Sequence, residues 1–350
     1  MPEQPGEFEL IAALRERARR AGAPEPSRLV VGSGDDATVA TGGPAVVTSV
    51  DSVVEGVHFE RPPFPPRAIG HKALAAALSD IAAMGARPGE AYVQLLLPDD
   101  LDVDACLELA DGLAAVAARH GVAIAGGDVS RAPVLALAIT VVGYLDRPED
   151  AVRRAGAAPG DLVVVTGELG GAAAGLLALR DADAVAELDP AVVDRLRRRQ
   201  LEPEPRLAAG GALAAAGATA MIDLSDGLGA DAAHLAGASG VRIAIDVDGL
   251  PVEIGVADLA AAVGADPLDL AAGGGEDYEL LATLPPARVE EARSAVEAAD
   301  TALSGIGRVD EGTGVELTDA RGASRSPAGY DQLAGRRAPR DRAGRGEAWR

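Results

Sequence analysis

Five times along this chain a short apolar or β-branched run gives way to a turn of small residues that carries a carboxylate. The turns hold Asp35 and Asp36 in GSGDDATVA (Gly32–Ala40), Asp51 in TSVDSVVEGVHF (Thr48–Phe59) and Asp128 in GGDVSR (Gly126–Arg131). Asp223 and Asp226 follow in DLSDGL (Asp223–Leu228), then Glu276 and Asp277 in GGGEDYELL (Gly273–Leu281). A carboxylate on a helix face is ordinarily just solvated. One in a glycine-flanked turn after an apolar strand sits where backbone and side chains crowd around ligands. Five such turns in one chain point to a shared site. Taken singly, each aspartate reads as a turn or helix cap before it reads as a ligand, and Asp223 and Asp226 would serve as caps for a helix starting near Gly227.

The segments between the turns alternate in period. Helical spacing is predicted over Glu7–Ala21, Arg67–Met84 (stopped by Gly85), Val103–His120, Gly171–Arg180, Pro190–Gln200, Pro205–Gly217 and Arg288–Ala299. Strands are predicted at Ala45–Val50, Val53–Val57, Tyr92–Leu97, Val122–Ala125, Val134–Tyr144, Leu162–Thr166, Ala218–Ile222, Val241–Val247 and Ser304–Val309. The mixture gives an α/β or α+β class. The DRPED turn at Asp146–Asp150 divides the 350 residues into an N-terminal unit, 1–150, and a C-terminal unit, 151–334. Residues 335–350 hold six Arg, two acids and almost nothing apolar, the composition of a disordered basic tail.

The whole chain carries 54 acidic and 32 basic residues, a formal charge of −22. Such a protein repels nucleic-acid phosphates, and eight aromatics leave little for base stacking. A single cysteine, Cys106, excludes an intrachain disulfide and a cysteine zinc cluster and reads as a small core filler. The acidic start MPEQPGEFEL lacks the form of a signal peptide, and no apolar run reaches the length of a membrane span. A soluble cytoplasmic protein is expected.

Lys72 is the only lysine, against 31 arginines, and it follows His71. That excludes a P-loop, which needs Gly-Lys-Ser/Thr. The protein-kinase motifs and a G-x-S-x-G elbow are missing as well. GELGG (Gly167–Gly171) is not G-x-G-x-x-G and reads as the turn that starts a helix. Arg197, Arg198 and Arg199 read as a solvated helix face, Lys72 as a partner for a helix acid, and His71, His120 and His234 as structural. What the acidic turns do suit is magnesium, which takes oxygen ligands and bridges carboxylates to substrate phosphates. With divalent metal present, an acidic protein can bind an anionic nucleotide.

Eight motifs, in this order, resemble the thiamine-monophosphate kinase family: GSGDDATV, TSVDSVVEGVHF, ALSDIAAMGARP (Ala77–Pro88), GGDVSR, RRAGAAPGD (Arg153–Asp161), AMIDLSDGL (Ala220–Leu228), GGGEDYEL and SGIGRV (Ser304–Val309). The resemblance runs from about Gly6 to about Tyr330. It implies a PurM-like two-domain fold whose N-terminal sheet dimerises, with nucleotide held between the domains. It implies direct transfer of the ATP γ-phosphoryl to thiamine monophosphate, without a phosphoenzyme. On this pattern the Mg²⁺ ligands fall on Asp35, Asp36, Ser49, Val50 (through its carbonyl), Asp51, Asp80, Asp128, Asp223 and Asp226, with Asp51, Asp128 and Asp226 catalytic. Gly127, Asp128, Arg154 and Ser225 fall on ATP contacts, and His58, Glu276 and Tyr330 on substrate contacts. The stretch SPAGYDQL (Ser326–Leu333) departs from the family, keeping Tyr330 but lacking the aromatic residues around it.

The expected partners are ATP, thiamine monophosphate and a second copy of the chain, with neither nucleic acid nor membrane. Two other readings keep the fold. A selenophosphate-synthetase-like enzyme wants a reactive Cys or selenocysteine near a Lys in the N-terminal segment, and HypE wants a C-terminal cysteine; the sequence has neither. A non-catalytic nucleotide-binding relative would have no need to keep mutually repelling acids together.

Overall fold

The computed structural model describes residues 16–17, 19–22, 29–31, 39–40, 45–183, 185–319, 321 and 324–325. The predicted basic tail lies outside these residues, as does most of the predicted first helix. A two-residue ladder joins β1 (Leu29–Val31) and β2 (Val39–Ala40). There follow β3 (Ala45–Val54), α1 (Pro66–Ala83), β4 (Arg87–Leu97), α2 (Val103–His120), β5 (Ala123–Arg131) and β6 (Ala136–Leu145). The next elements are β7 (Leu162–Thr166), α3 (Gly171–Arg180), α4 (Pro190–Leu201), α5 (Leu207–Ala216), β8 (Ala220–Asp223) and α6 (Leu228–Ser239). The described chain closes with β9 (Arg242–Asp246), α7 (Val256–Val263), α8 (Pro267–Gly273), β10 (Leu280–Leu284), α9 (Val289–Glu297), β11 (Leu303–Asp310), β12 (Gly314–Thr318) and β13 (Ser324–Arg325).

Two sheets result. One has the order β3-β6-β4-β5, antiparallel except for the β4–β5 pair. The other has the order β13-β12-β9-β11-β7-β10-β8, with β9 and β12 parallel. Three expectations shift. What read as two strands around Asp51 is one continuous strand, β3, with a turn only after Val54. The GGD segment is not a turn: β5 runs through Gly126, Gly127 and Asp128 to Arg131. The small helices α7 and α8, too short and too Ala/Gly-rich to stand out by periodicity, were not foreseen.

Helix α1 explains how the sheets come together. Pro66 at its first turn presets φ, and Gly85, with φ 66°, follows its last residues. Fifteen of its 18 residues are buried, so it is a helix covered all round rather than one with a single wet face. The four-stranded sheet lies on one side and α2 on another. There Gly70 and Gly112 let the two backbones touch: a Cβ on Gly70 would lie 2.0 Å from the Leu109 carbonyl oxygen, and one on Gly112 1.9 Å from that of Arg67. Helix α5 packs against it from the second unit, with Gly210 on the Ala82 carbonyl. His71 also reaches across, its Nε2 3.0 Å from the Pro203 carbonyl oxygen. Cys106 is buried on α2, as a core filler should be. No helix among the described residues is long and apolar enough to cross a membrane.

Among the described residues nothing covers the outer face of the four-stranded sheet. Along β3 the residues alternate strictly, and Val46 and Val50 stand 55% and 67% exposed on that outer side.

Candidate active site

The carboxylates meet where α1 joins β3 to the end of β8. Ser49 and Asp51 lie on the inner side of β3, and the Ser49 hydroxyl donates to the Asp80 carboxylate on α1. Burial raises the Asp51 carboxyl above its usual range, and the nearby negative charges of Asp80 and Glu276 add to this while His58 opposes it. Its Oδ1 accepts the Ser52 N–H at 2.6 Å. The His58 ring is held by Nδ1, which accepts the Val54 N–H at 3.0 Å.

Asp223 arrives from the second unit as the last residue of β8. It is buried, and burial together with the charge of Asp80 pushes its carboxyl up to about 7, against the pull of Ser79 and Arg154. Beyond β8 the ladder continues into loops. Leu224 N–H donates to Glu279 O at 2.8 Å, Tyr278 N–H to Leu224 O at 2.9 Å and Glu276 N–H to Ser225 O at 2.8 Å. The loop bearing Glu276 and Tyr278 is thereby zipped against the DLSDGL loop. Glu276 has φ 60° and Tyr278 φ 51°, both left-handed and neither a glycine.

The sequence reading missed three residues here. Tyr278 is buried, and burial followed by the charges of Glu276, Asp51, Asp223 and Asp80 raises its hydroxyl well above the usual value. It stands within electrostatic reach of acids from both units. Asp231 takes the capping role that was open to Asp223 and Asp226: its Oδ2 accepts the N–H groups of Asp226 (3.1 Å) and Gly227 (3.0 Å). Burial and the charges of Asp223 and Asp226 push it up to about 8. Lys72, expected beside a helix acid, instead pairs with the loop residue Glu276, Nζ to Oε1 2.8 Å. Its uniqueness in the sequence was the available signal.

A second correction concerns Arg199. It is not solvated but is mostly buried, 3.0 Å from Glu279 and 3.3 Å from Glu253. Arg206 also binds the fully buried Glu279, at 2.6 Å, and Thr166 Oγ1 donates to that carboxylate at 2.7 Å. Asp277 accepts the N–H of Gly170 (2.8 Å) and of Ala172 (3.1 Å) at the start of α3, the helix start read from GELGG. Burial pushes Asp277 up to about 6 against these hydrogen bonds and Arg199. The acidic loop is thus pinned on both flanks.

Asp128 stands apart. Cross-strand pairing puts it level with Gln94, Ala138 and Ser52 on the exposed outer face, whereas Asp51 is level with Ile139 and Val93 on the inner face. Three strand spacings separate Asp128 from β3, about 14 Å. Hydrogen bonds from Gln94 (2.7 Å) and Ser130 (2.8 Å) lower its pKa. Gly127 beside it packs so closely that a Cβ would lie 2.0 Å from the Val93 carbonyl oxygen. Val50 presents its side chain on the outer face, Ser225 its carbonyl to the Glu276 loop, and Arg154 is exposed within reach of Asp223. Asp226 is half-buried beside Asp231. Asp35, Asp36 and Tyr330 lie outside the described residues.

Among the described residues no three His, Cys, Asp or Glu side chains come close enough to enclose a metal ion by themselves. The donor set still suits magnesium. It is all oxygen, burial and then the mutual repulsion of its acids raise Asp51 and Asp223, and Mg²⁺ needs only one or two carboxylates when phosphates and waters complete its octahedron.

Residues 34–145 match the family AIR synthase related protein, N-terminal domain, and residues 158–320 match AIR synthase related protein, C-terminal domain. The thiamine-monophosphate kinase of Mycobacterium tuberculosis is 39% identical over 283 residues, 80% of this chain and 81% of its own. Among solved structures, the thiamine-monophosphate kinase of Stenotrophomonas maltophilia K279a is similar with a TM-score of 0.79 at 36% identity, over 87% of this chain and 95% of its own. The structure of AaThiL complexed with AMPPCP and TMP is similar with a TM-score of 0.72 at 31% identity, over 93% and 96%. Hydrogenase maturation protein HypE in complex with ATP reaches a TM-score of 0.75 at only 22% identity, over 93% and 95%, a likeness of fold alone.

Proposed function

From the premise that this chain belongs to the thiamine-monophosphate kinase family, and so transfers phosphate from ATP to thiamine monophosphate, we propose how its residues divide the work. The observation that carries the proposal is the convergence of Ser49, Asp51 and Asp80 from one unit with Asp223, Glu276 and Tyr278 from the other. In our reading Asp51, Asp80 and Asp223 hold Mg²⁺, with Asp35, Asp36, Ser49, the Val50 carbonyl and Asp226 completing the set. The bound ions neutralise phosphate charge that an acidic site would otherwise repel. Arg154 adds a guanidinium for a phosphate oxygen, and Ser225 serves as a further nucleotide contact. His58 and Glu276 orient thiamine monophosphate, with Tyr330 a further contact. The acceptor is an ionised phosphate, so no residue has to remove a proton. Positioning and charge neutralisation then suffice for direct transfer.

Asp128 joins this scheme through a second copy of the chain. The open outer face, with Val46 and Val50 exposed on β3 and Asp128 at the far edge on β5, supports a homodimer formed through this sheet. In it each Asp128, with Gly127, serves the nucleotide of the partner's site. ATP supply supports a cytoplasmic location. The test is a kinase assay with ATP and Mg²⁺ across thiamine monophosphate, free thiamine and other phosphorylated precursors. Only thiamine monophosphate should give product, and no turnover at millimolar-order Mg²⁺ would sink the reading.

A further inference from the structure

Lys72 has no place in the scheme above, yet little about it is ordinary. It is the only lysine in a chain with 31 arginines, and it is 2% exposed in the middle of α1. A lone ammonium so deep is costly unless paired. Its partner is Glu276, at 2.8 Å, an ion pair without the alignment of a good hydrogen bond. The Phe64 ring lies 5.6 Å from Nζ and adds a weaker attraction. Lys72 belongs to the first unit and Glu276 to the second, so the pair spans their boundary.

The carboxylate it holds is otherwise strongly constrained. Gln200 Nε2 donates to Glu276 Oε2 at 2.8 Å, so each oxygen has one fixed neighbour. The backbone is in the left-handed region and zipped to Ser225. Each carboxylate oxygen keeps further lone-pair capacity, and the side chain remains 25% exposed. Such a group is aimed, ionised and still open on one side. The organic half of thiamine monophosphate carries a cationic thiazolium and an aminopyrimidine donor, which are complementary to it.

We infer that Lys72 is the positioning residue of the substrate pocket: by fixing the Glu276 carboxylate across the boundary between the two units, it sets how tightly thiamine monophosphate is held. The inference rests on the reading of Glu276 as a substrate contact. It also accounts for the residue type. A compact ammonium on a flexible apolar stem fits between α1, Phe64 and the loop, where a planar guanidinium would demand a wider, forked partner.

The experiment is steady-state kinetics on full-length K72M, K72R, E276Q and the double variant K72M/E276Q, varying each substrate in turn. K72M should raise KM for thiamine monophosphate by about ten-fold or more while KM for ATP stays within about two-fold. K72R, which keeps the charge but not the compact shape, should recover only part of that loss. E276Q should raise the same KM, and the double variant should be no worse than E276Q, because the two residues act as one unit. If E276Q raises KM for thiamine monophosphate and K72M does not, the role of Lys72 is overturned and that of Glu276 stands. If neither raises it, the reading of Glu276 falls as well. Should K72M not fold, K72R carries the test, and a rise in both KM values together would mark a purely structural pair.

Discussion

Asp51 and Asp128 occupy opposite faces of one four-stranded sheet, at strands three apart. No bending of a single chain brings them to one phosphate group. If each Asp128 serves the partner's site, D51N and D128N are each inactive, but a mixed dimer contains one intact site. After subunit exchange an equal mixture should recover about a quarter of wild-type activity, since half the dimers are mixed and each has one good site. Activity assays on the mixture, with sedimentation to verify dimers, check this. No recovery would mean that Asp128 acts within its own chain or not at all.

Asp51 is held among like charges, so removing its charge should separate function from stability. D51N should lower kcat by at least about 100-fold if the carboxylate holds metal at the reacting phosphates. In the absence of divalent metal its melting temperature should equal or exceed that of wild type, because a buried charge is removed and repulsion from Asp80 and Glu276 is relieved. Calorimetry beside a kinase assay reads both. A strongly destabilised D51N would show that the carboxylate is structural.

Burial, reinforced by like charges, gives a pH dependence. Asp223 titrates near 7 in the folded protein against 3.8 ordinarily, so between those values the folded state binds the extra proton. Stability from this group is full below about 3.8 and is lost as pH rises toward 7. Asp231, at about 8, acts in the same sense. Metal competes with those protons. Without metal the melting temperature should fall between pH 5 and 8, and added Mg²⁺ should raise it more at pH 8 than at pH 6. An equal Mg²⁺ effect at both would place the ion elsewhere.

Glu204 works in the opposite direction. Burial alone would raise its carboxyl, but His120 at 3.0 Å and Arg119 at 2.6 Å hold it down to about 2. A depressed carboxylate contributes stability above its unfolded value of 4.5, and that contribution is lost as pH falls toward 2. The shift corresponds to no more than about 3 kcal/mol, less whatever solvent screens at a partly exposed pair. E204Q should therefore cost stability at pH 7 and show a shallower acid limb in denaturant titrations. An acid limb as steep as that of wild type would contradict the assignment.

Most of the strands and helices were legible from their composition or their period. The run of Ala and Leu in α1, stopped by Gly85, and the β-branched β6 are examples. The acidic motifs were legible too, since Asp51, Asp80, Asp223 and Glu276 each stand in a recognisable pattern. What escaped were relations between distant residues. Nothing local tells Lys72 that its partner is 204 residues away, or marks Arg199 among three consecutive arginines as the one that turns inward to Glu279. The extension of β5 through Gly126 and Gly127 escaped for another reason. Glycine disfavours strands by propensity, and only the close approach to β4 explains its use there.

The left-handed backbone at Glu276 and Tyr278 has a consequence for how this chain can change. Each non-glycine residue held there stores roughly 1 kcal/mol or more of local strain. Asparagine or glycine at either position would relax the backbone, but it would strip Lys72 of its partner or leave a cavity where Tyr278 is buried, which costs more than the strain. The strain at these two positions is therefore outweighed by the contacts it permits, and heat tolerance gains nothing from relaxing them.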